Sequence, residues 1–278
     1  MRAGRRETVS GRQPLARMLS AFDWGAASRM VDGADGRLRG AVLVTSRATD
    51  EGAVARIDAV VSDAATPDLC RTLTTWGIGL ARATGAAVAQ VWAPRGQGEV
   101  LHEMGLVPAR PFWRMDRSLL ADIPPRPPVP AYRLRVGPDV PAGTWSEMHN
   151  RTFADHWRYS SRTEEELMTG RPLELALLAE TENGSPAAIT ISWVESFPVD
   201  ARPQPVGIIG SVGTLPEHRR RGLAGWLVEE SLARLRAAGA RHASLYVDGM
   251  NATGAPAVYR NFGFEVAFES DVWEATFP

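Results

Sequence analysis

The stretch that most constrains this 278-residue chain is Val206 to Gly225, which reads V-G-I-I-G-S-V-G-T-L-P-E-H-R-R-R-G-L-A-G. An apolar, glycine-dotted run of strand length, 206–214, is broken at Pro216. Arg219-Arg220-Arg221-Gly222-Leu223-Ala224 follows, and then a helical pattern on Leu223, Trp226, Leu227, Leu232 and Leu235. A strand, a basic glycine turn and a helix in that order make an anion site. The first amides of a helix have no intrahelical acceptors and point outward. The helix end carries partial positive charge, and a phosphate placed there satisfies both. Gly222 and Ala224 let the backbone come close to phosphate oxygens, and the arginines add charge-assisted hydrogen bonds.

Arg219-x-x-Gly222-x-Ala224 matches a [QR]-x-x-G-x-[GA] signature, and Leu245-Tyr246-Val247-Asp248, Asn251, Gly254-Ala255, Tyr259 and Gly263-Phe264 follow in order. In order and spacing these residues resemble the second half of the GNAT (general N-acetyltransferase) superfamily, most strongly over 206–264. The resemblance implies that the turn holds the pyrophosphate of acetyl-coenzyme A, the cosubstrate. It assigns cofactor binding to Val212, Gly213, Thr214, Arg219, Arg220, Arg221, Gly222, Leu223, Ala224, Asn251 and Tyr259. It also implies that strand 206–214 splays from the strand beginning at 242, so that the pantetheine arm inserts between them.

Length allows one large domain or two of about 130 to 150 residues. The clearest boundary is Ile123-Pro124-Pro125-Arg126-Pro127-Pro128-Val129-Pro130, where five prolines in eight residues exclude a helix or a central strand. The halves on either side read as a diverged repeat. The second runs strand 187–194, strand 206–214, helix 222–238, Gly239, strand 242–248, helix 254–261, Gly263-Phe264, strand 266–276. The first runs strand 39–46, strand 54–62, helix 67–84, Gly85, strand 87–92, helix 97–104, Gly105-Leu106, strand 111–117. Gly85 and Gly239 serve as left-handed helix stops. The second half opens with an alternating strand 132–136 and a helix over about 143–153. Thr163 then caps another helix, with Glu166 in capping-box spacing. The expected fold is therefore α/β, a mixed sheet with flanking helices. It resembles tandem GNAT-like domains of the mycothiol synthase type: a degenerate domain at 1–122, a linker at 123–130 and an acyltransferase domain at 131–278.

The halves differ at the turn. Seventeen residues before the helix-stop glycine stands Gly222 in the second half and Asp68 in the first. There Thr66 and Pro67 suit an N-cap and a first helical residue, but Asp63 and Asp68 supply negative charge and no arginine is near. The first half is expected to bind no coenzyme A pyrophosphate and to act as scaffold or as a wall of the acceptor site.

Acyl transfer from a thioester to an amine needs an unprotonated amine, donors for the developing oxyanion and, for the departing sulfur, a proton. The resemblance gives the oxyanion to backbone amides of Val212 to Thr214 and the thiolate to Tyr259, eight residues after Asn251. A glutamate expected near position 208 is Ile208 here, so the base must come from elsewhere. Candidates are His156, Asp155, Glu195, His149 and Asp248, with a water relay as a rival; His156 and Glu195 are taken with Tyr259 as the catalytic set. The loop Ala154-Asp155-His156-Trp157-Arg158-Tyr159 covers the acceptor in this superfamily, and Arg158 and Arg151 are either acceptor-steering or plain surface charge.

The function expected is transfer of an acetyl group from acetyl-coenzyme A to a primary amine of a small molecule. Two alternatives stand beside it: a non-catalytic acyl-coenzyme A sensor or scaffold, and an acyltransferase using a longer acyl chain. The absence of G-x-x-x-x-G-K-[ST] speaks against a nucleotide-phosphate enzyme. His/Cys metal spacing is absent as well, so no metal is expected. A net charge of -1 draws the protein to neither nucleic acid nor anionic membrane. The single Cys70 suits a reducing compartment and reads as a packing residue. There is no apolar run long enough to span a bilayer. Arg5-Arg6 lacks a following apolar region, so residues 1–10 read as a loose tail. The expectation is a cytoplasmic monomer or homodimer.

Overall fold

The computed structural model describes residues 24–62, 65–121, 126–195, 205–251 and 254–278. The tail at 1–10, Asp63 and the linker residues 123–125 lie outside the described residues.

After a helical turn at Trp24–Ala27, the first half carries β1 (Ser28–Asp32), β2 (Leu38–Thr49), β3 (Gly52–Val61), α1 (Pro67–Ala83), β4 (Val88–Pro94), α2 (Glu99–Glu103) and β5 (Val107–Ser118). The second carries β6 (Tyr132–Val136), α3 (Thr144–Phe153), α4 (Glu164–Met168), β7 (Ala176–Thr181), β8 (Pro186–Glu195), β9 (Val206–Thr214), α5 (Leu223–Ala237), β10 (His242–Asp248), α6 (Ala255–Asn261) and β11 (Glu265–Thr276). The α/β reading holds, and β1 and β7 are additions to it. The local signals behave as their chemistry demands. Gly85 and Gly239 end α1 and α5 with φ of 78° and 93°. Thr163 and Glu166 close the capping box at α4, Thr163 N donating to Glu166 Oε2 at 2.8 Å and Glu166 N to Thr163 Oγ1 at 3.2 Å. Thr66 does occupy the N-cap of α1 with Pro67 next, but its side chain makes no cap hydrogen bond.

Among the described residues all the strands join one sheet of eleven, in the order β1-β2-β3-β4-β11-β5-β10-β9-β8-β7-β6. Its centre exchanges the last strand of each half. β5, from the first half, pairs antiparallel with β10 from His242↔Ser118 to Asp248↔Phe112. β11, from the second half, pairs antiparallel with β4 from Ser270↔Pro94 to Thr276↔Val88. The two exchanged strands also pair with each other. Phe277 accordingly packs in the first-half core with Val42, Ile57, Leu73 and Val91.

In the second half the sheet is sandwiched. On one face α5 buries Val228, Leu232 and Leu235 against Ile209, Leu245 and Phe264, and Leu223, Trp226 and Leu227 against Leu177, Ala179 and Ala188. On the other, α3 and α4 bury Trp145, Met148 and Leu167 against Leu178, Ile189 and Ile191. Each buried Leu or Ile side chain contributes about 1.5–3 kcal/mol, which is what fixes β9 between the two helical layers.

Candidate active site

β9 pairs in parallel with β10 over four positions only, from Val206↔His242 to Ile209↔Leu245. Beyond Leu245 the two strands separate and leave a wedge. On its other side β9 pairs with β8 but slips register between Ile191 and Ser192, which face Ser211 and Ile209. Gly210 is therefore the extra residue of a β-bulge, and such a residue is left out of the ladder. The bulge sits where the wedge closes, and β9 then runs along the open edge to Thr214. The backbone left unpaired along the wedge thus begins at Gly210 and Ser211 and runs on through Val212, Gly213 and Thr214.

Glycine is required twice on this strand by close approach. A Cβ at Gly210 would lie 2.2 Å from Trp193 Cζ3 on β8, and one at Gly213 would lie 2.3 Å from Thr152 Oγ1 and 3.1 Å from Phe153 Cε2 on α3.

After β9 the chain makes a 3-10 turn at Pro216–His218, then places Arg220 at φ 64° and Gly222 at φ 86°. The alternating left-handed residues turn main-chain N–H groups toward one concavity. Gly222 is the N-cap of α5, and no side chain caps it, which leaves the first-turn amides of Leu223, Ala224 and Gly225 to an outside acceptor. The three arginines differ in what they touch. Arg219 donates to Asp155 Oδ2 at 2.8 Å, to Thr214 O at 3.2 Å and to Thr152 O at 3.3 Å. Its guanidinium ties the loop at 154–159 to the end of β9. Arg221 donates to Tyr132 Oη and to Glu217 O, both at 3.3 Å. Arg220 is exposed beside the open amides. A fourth arginine comes from the linker: Arg126 pairs with Glu229 at 3.1 Å, lies 5.5 Å from the Phe262 ring centroid, and reaches within 2.5 Å of where a Cβ would stand on Gly225. Sequence reading treated Arg126 only as part of a spacer.

Tyr259 and His156 flank the wedge from opposite faces. Tyr259, on α6, packs in the α5-side cluster with Ile209 and Val212, its ring edge-on to Phe264 at 6.1 Å. Burial pushes its phenol up to about 12. His156 lies on the α3 side, edge-on to Phe153 at 4.7 Å, and Phe153 is the ring that touches Gly213. Burial lowers the His156 pKa and Arg219 lowers it further, against the opposing charges of Asp155 and Asp248. His149 stacks on the same Phe153 at 4.5 Å, and burial lowers it to about 4. Both imidazoles are thus held toward the neutral, proton-accepting form. Glu195 pairs with Val206 at the closed end of the wedge and accepts from Trp193 Nε1 at 3.2 Å. Asn251 lies where the chain turns from β10 to α6, its N–H donating to Asp248 O at 3.1 Å and its carbonyl accepting from Gly254 N at 3.2 Å. Asp248 itself pairs with Arg110 at 2.6 Å.

The loop at 154–159 is fastened to the first half. Arg158, at φ 52°, bonds Glu51 at 2.5 Å on the β2–β3 turn and Glu274 at 3.2 Å on β11, while Gln90 donates to the other Glu274 oxygen at 2.8 Å. Arg151 pairs with Glu147 and Glu217 at 3.2 and 3.4 Å. Both arginines of this region thus have carboxylate partners. Among the described residues no group of three or more His, Cys, Asp or Glu is arranged to hold a metal ion, and no helix is long and apolar enough to cross a membrane.

A bulged strand parting from a parallel neighbour and running through a basic turn into an open helix end defines the GNAT fold. Residues 196–267 match the acetyltransferase (GNAT) domain. The chain is similar to the mycothiol acetyltransferase of Kytococcus sedentarius, at 33% identity over 59% of this chain and 56% of that one. It is also similar to that of Nocardia farcinica, at 29% identity over 90% and 83%. The first of these matches spans little more than half the relative's length. A GCN5-related N-acetyltransferase from Sphaerobacter thermophilus superposes with a TM-score of 0.77, at 21% identity over 95% of this chain and 85% of that one. A tandem GNAT protein from the clavulanic acid biosynthesis pathway superposes at 0.64, with 19% identity over 91% and 84%. These two likenesses speak to the fold, including its tandem form.

Proposed function

We propose that the protein is an acetyl-coenzyme A-dependent N-acetyltransferase acting on a primary amine of a small molecule. The observation that carries this is the continuity of β9: bulge, open edge, basic turn and uncapped helix end form one backbone track. The residues fit the cosubstrate. Open amides at Leu223, Ala224 and Gly225 suit a pyrophosphate, and Arg220, Arg221 and Arg126 stand around them. The exposed edge from Gly210 to Thr214 suits an amide-bearing pantetheine arm, which supplies the activated acetyl thioester. Along the chain, the reading divides into a supporting half at 1–122, a connector at 123–130 and a site-bearing half at 131–278.

The residues divide the chemistry by face. On the α3 side His156, held neutral, takes the proton that the amine loses as its nitrogen bonds the carbonyl carbon; His149 and a relayed water are the neighbouring routes. The Gly210 and Ser211 amides donate to the carbonyl oxygen as it gains charge. On the α5 side Tyr259 donates a hydrogen bond to the sulfur as the carbon–sulfur bond breaks. With the phenol at about 12 and a free thiol near about 8.5, complete proton transfer from Tyr259 is uphill. It therefore acts by hydrogen bonding in the transition state, and solvent supplies the thiol proton. Glu195, whose carboxylate accepts from the Trp193 indole, is given no proton-transfer step.

One feature favours the non-catalytic sensor as a second reading: Ile208, beside the bulge, supplies no carboxylate. One calorimetric titration and one assay separate the readings. Acetyl-coenzyme A should bind the protein, and a panel of aminoglycosides, amino acids, polyamines, cysteinyl sugars and peptides should contain an amine that releases free thiol. Binding with no thiol release from any amine favours the sensor, and no binding refutes both. The mycothiol acetyltransferase relatives make cysteinyl sugars the first amines to test.

A further inference from the structure

We propose that Trp193 closes the acyl end of the coenzyme cleft and restricts the donor to a short acyl group, acetyl above longer chains. This rests on the coenzyme-binding reading above and extends it from the phosphate end to the acyl end. The track sets the geometry. With the pyrophosphate at the open amides after Gly222, the pantetheine arm runs back along β9 from Thr214 toward Gly210, about 13 Å of extended strand. The arm is of comparable extended length, so the acyl carbon falls at the bulge, where the wedge closes because β9 and β10 resume pairing at Ile209↔Leu245.

Trp193 covers that point. Its register partner is Ile208, and its six-membered ring lies so close to Gly210 that a Cβ there would be 2.2 Å from Cζ3 and 2.5 Å from Cη2. The indole is held from three directions. Gly210 lies under it, Nε1 donates to Glu195 Oε2 at 3.2 Å, and the Arg171 guanidinium lies 3.6 Å from the ring centroid. Burial lowers the Arg171 pKa while Glu195 opposes the shift, as expected of a cation packed between an aromatic face and a carboxylate. Arg171 comes from the loop after α4 and Glu195 from the end of β8, so two separate segments hold the ring over the bulge. Such a wall cannot swing aside without breaking a stacked contact and a hydrogen bond. Ile208, where a carboxylate was expected, becomes part of the same apolar closure.

The test is isothermal titration of the wild-type protein, Trp193→Ala and Trp193→Phe with acetyl-, butyryl- and hexanoyl-coenzyme A, which needs no knowledge of the amine. The wild type should bind hexanoyl-coenzyme A at least about tenfold more weakly than acetyl-coenzyme A, the discrimination that one or a few methylenes command in a closed apolar site. Trp193→Ala should bring the two within about twofold, with Trp193→Phe in between. Wild-type protein that binds hexanoyl- and acetyl-coenzyme A equally overturns the proposal, as does an unaltered ratio in a folded Trp193→Ala. Should the alanine variant fail to fold, the wild-type ratio and the phenylalanine variant decide. If the wild type binds no coenzyme at all, the coenzyme reading itself fails, a result distinct from equal binding.

Discussion

The molecule contains the same wedge twice, and only one of the two leads into a basic glycine turn. β3 and β4 pair in parallel from Val54↔Val88 to Ile57↔Val91, as β9 and β10 do from Val206↔His242 to Ile209↔Leu245. Matching the two sets Arg56 against Ile208 and Asp58 against the bulge. β3 keeps unbroken register with β2 from Gly40↔Val61 to Thr49↔Gly52, so no residue is released from the ladder. Ten residues separate Ile57 from Pro67 but fourteen separate Ile209 from Leu223, so the first half lacks the length for a basic nest before its helix. Its turn ends in a proline and Asp68, and Arg56 lies over Trp92, 5.0 Å from its ring centroid, with its guanidinium bonded to Asp58 at 2.9 Å. Parting strands and a helix end without a side-chain cap are therefore common to both halves; a released backbone residue and a basic glycine turn are what the second half adds.

The sharpest way to break that contrast is at the turn. Arg221→Glu with Gly222→Asp should weaken acetyl-coenzyme A binding by at least about 10²-fold, because like charge and a side chain then occupy a place built for phosphate. Asp68→Arg in the first half should create no second site, and calorimetric stoichiometry should stay at one. Next in size, Gly210→Ala forces a methyl group into Trp193 and displaces the bulge. Turnover should fall about 10²-fold with coenzyme affinity changed only a few-fold, whereas Asp58→Ala at the matching place should leave both as they were. Tyr259→Phe should lower turnover by about 10²-fold at most. Because burial holds the phenol at about 12, Tyr259 stays protonated across the working range, and an alkaline limb near its ordinary value of about 10 that vanishes in the variant would contradict its assigned role. Arg126→Ala should weaken coenzyme binding about threefold, the scale of a partly exposed ion pair.

The smallest effect concerns stability. His149 takes up its proton at about 4 in the folded protein and near about 6.5 when unfolded. Between those values the unfolded chain binds more protons, so its contribution to stability is full above the upper value and is lost as pH falls toward the lower. His149→Gln should flatten that part of the melting-temperature profile, and a profile with the same slope would remove His149 as its source.

Much of the second half was legible because its signals are local. Gly222 before a helical pattern, Thr163 with Glu166, and Gly239 after Ala238 each specify backbone geometry within a few residues, and each geometry is present. What was not legible depends on partners distant in the chain. Nothing in Gly210 distinguishes a bulge from a loose strand position until Trp193 and the β8 register are seen. The lining role of Trp193, 17 residues before Gly210 in sequence, depends on Arg171 and Glu195. Arg126 read as part of a stiff spacer because only the folded chain brings it over Gly225. Arg219 matched the phosphate signature as a residue type, yet its guanidinium is occupied by Asp155, Thr152 and Thr214, a competition that a one-dimensional pattern does not register.

The traded strands at the middle of the sheet bear on how such a chain can change over time. Severed at the prolines, the later portion would keep β11 but lose β5, its neighbour on one side and the partner of β10 on the other, and would present raw hydrogen-bonding edges that invite aggregation. The earlier portion is therefore not free to disappear, whatever it binds itself. It serves as a mould for its sibling, and substitutions in β5 reach the wedge directly, through its pairing with β10 and through Arg110 on Asp248.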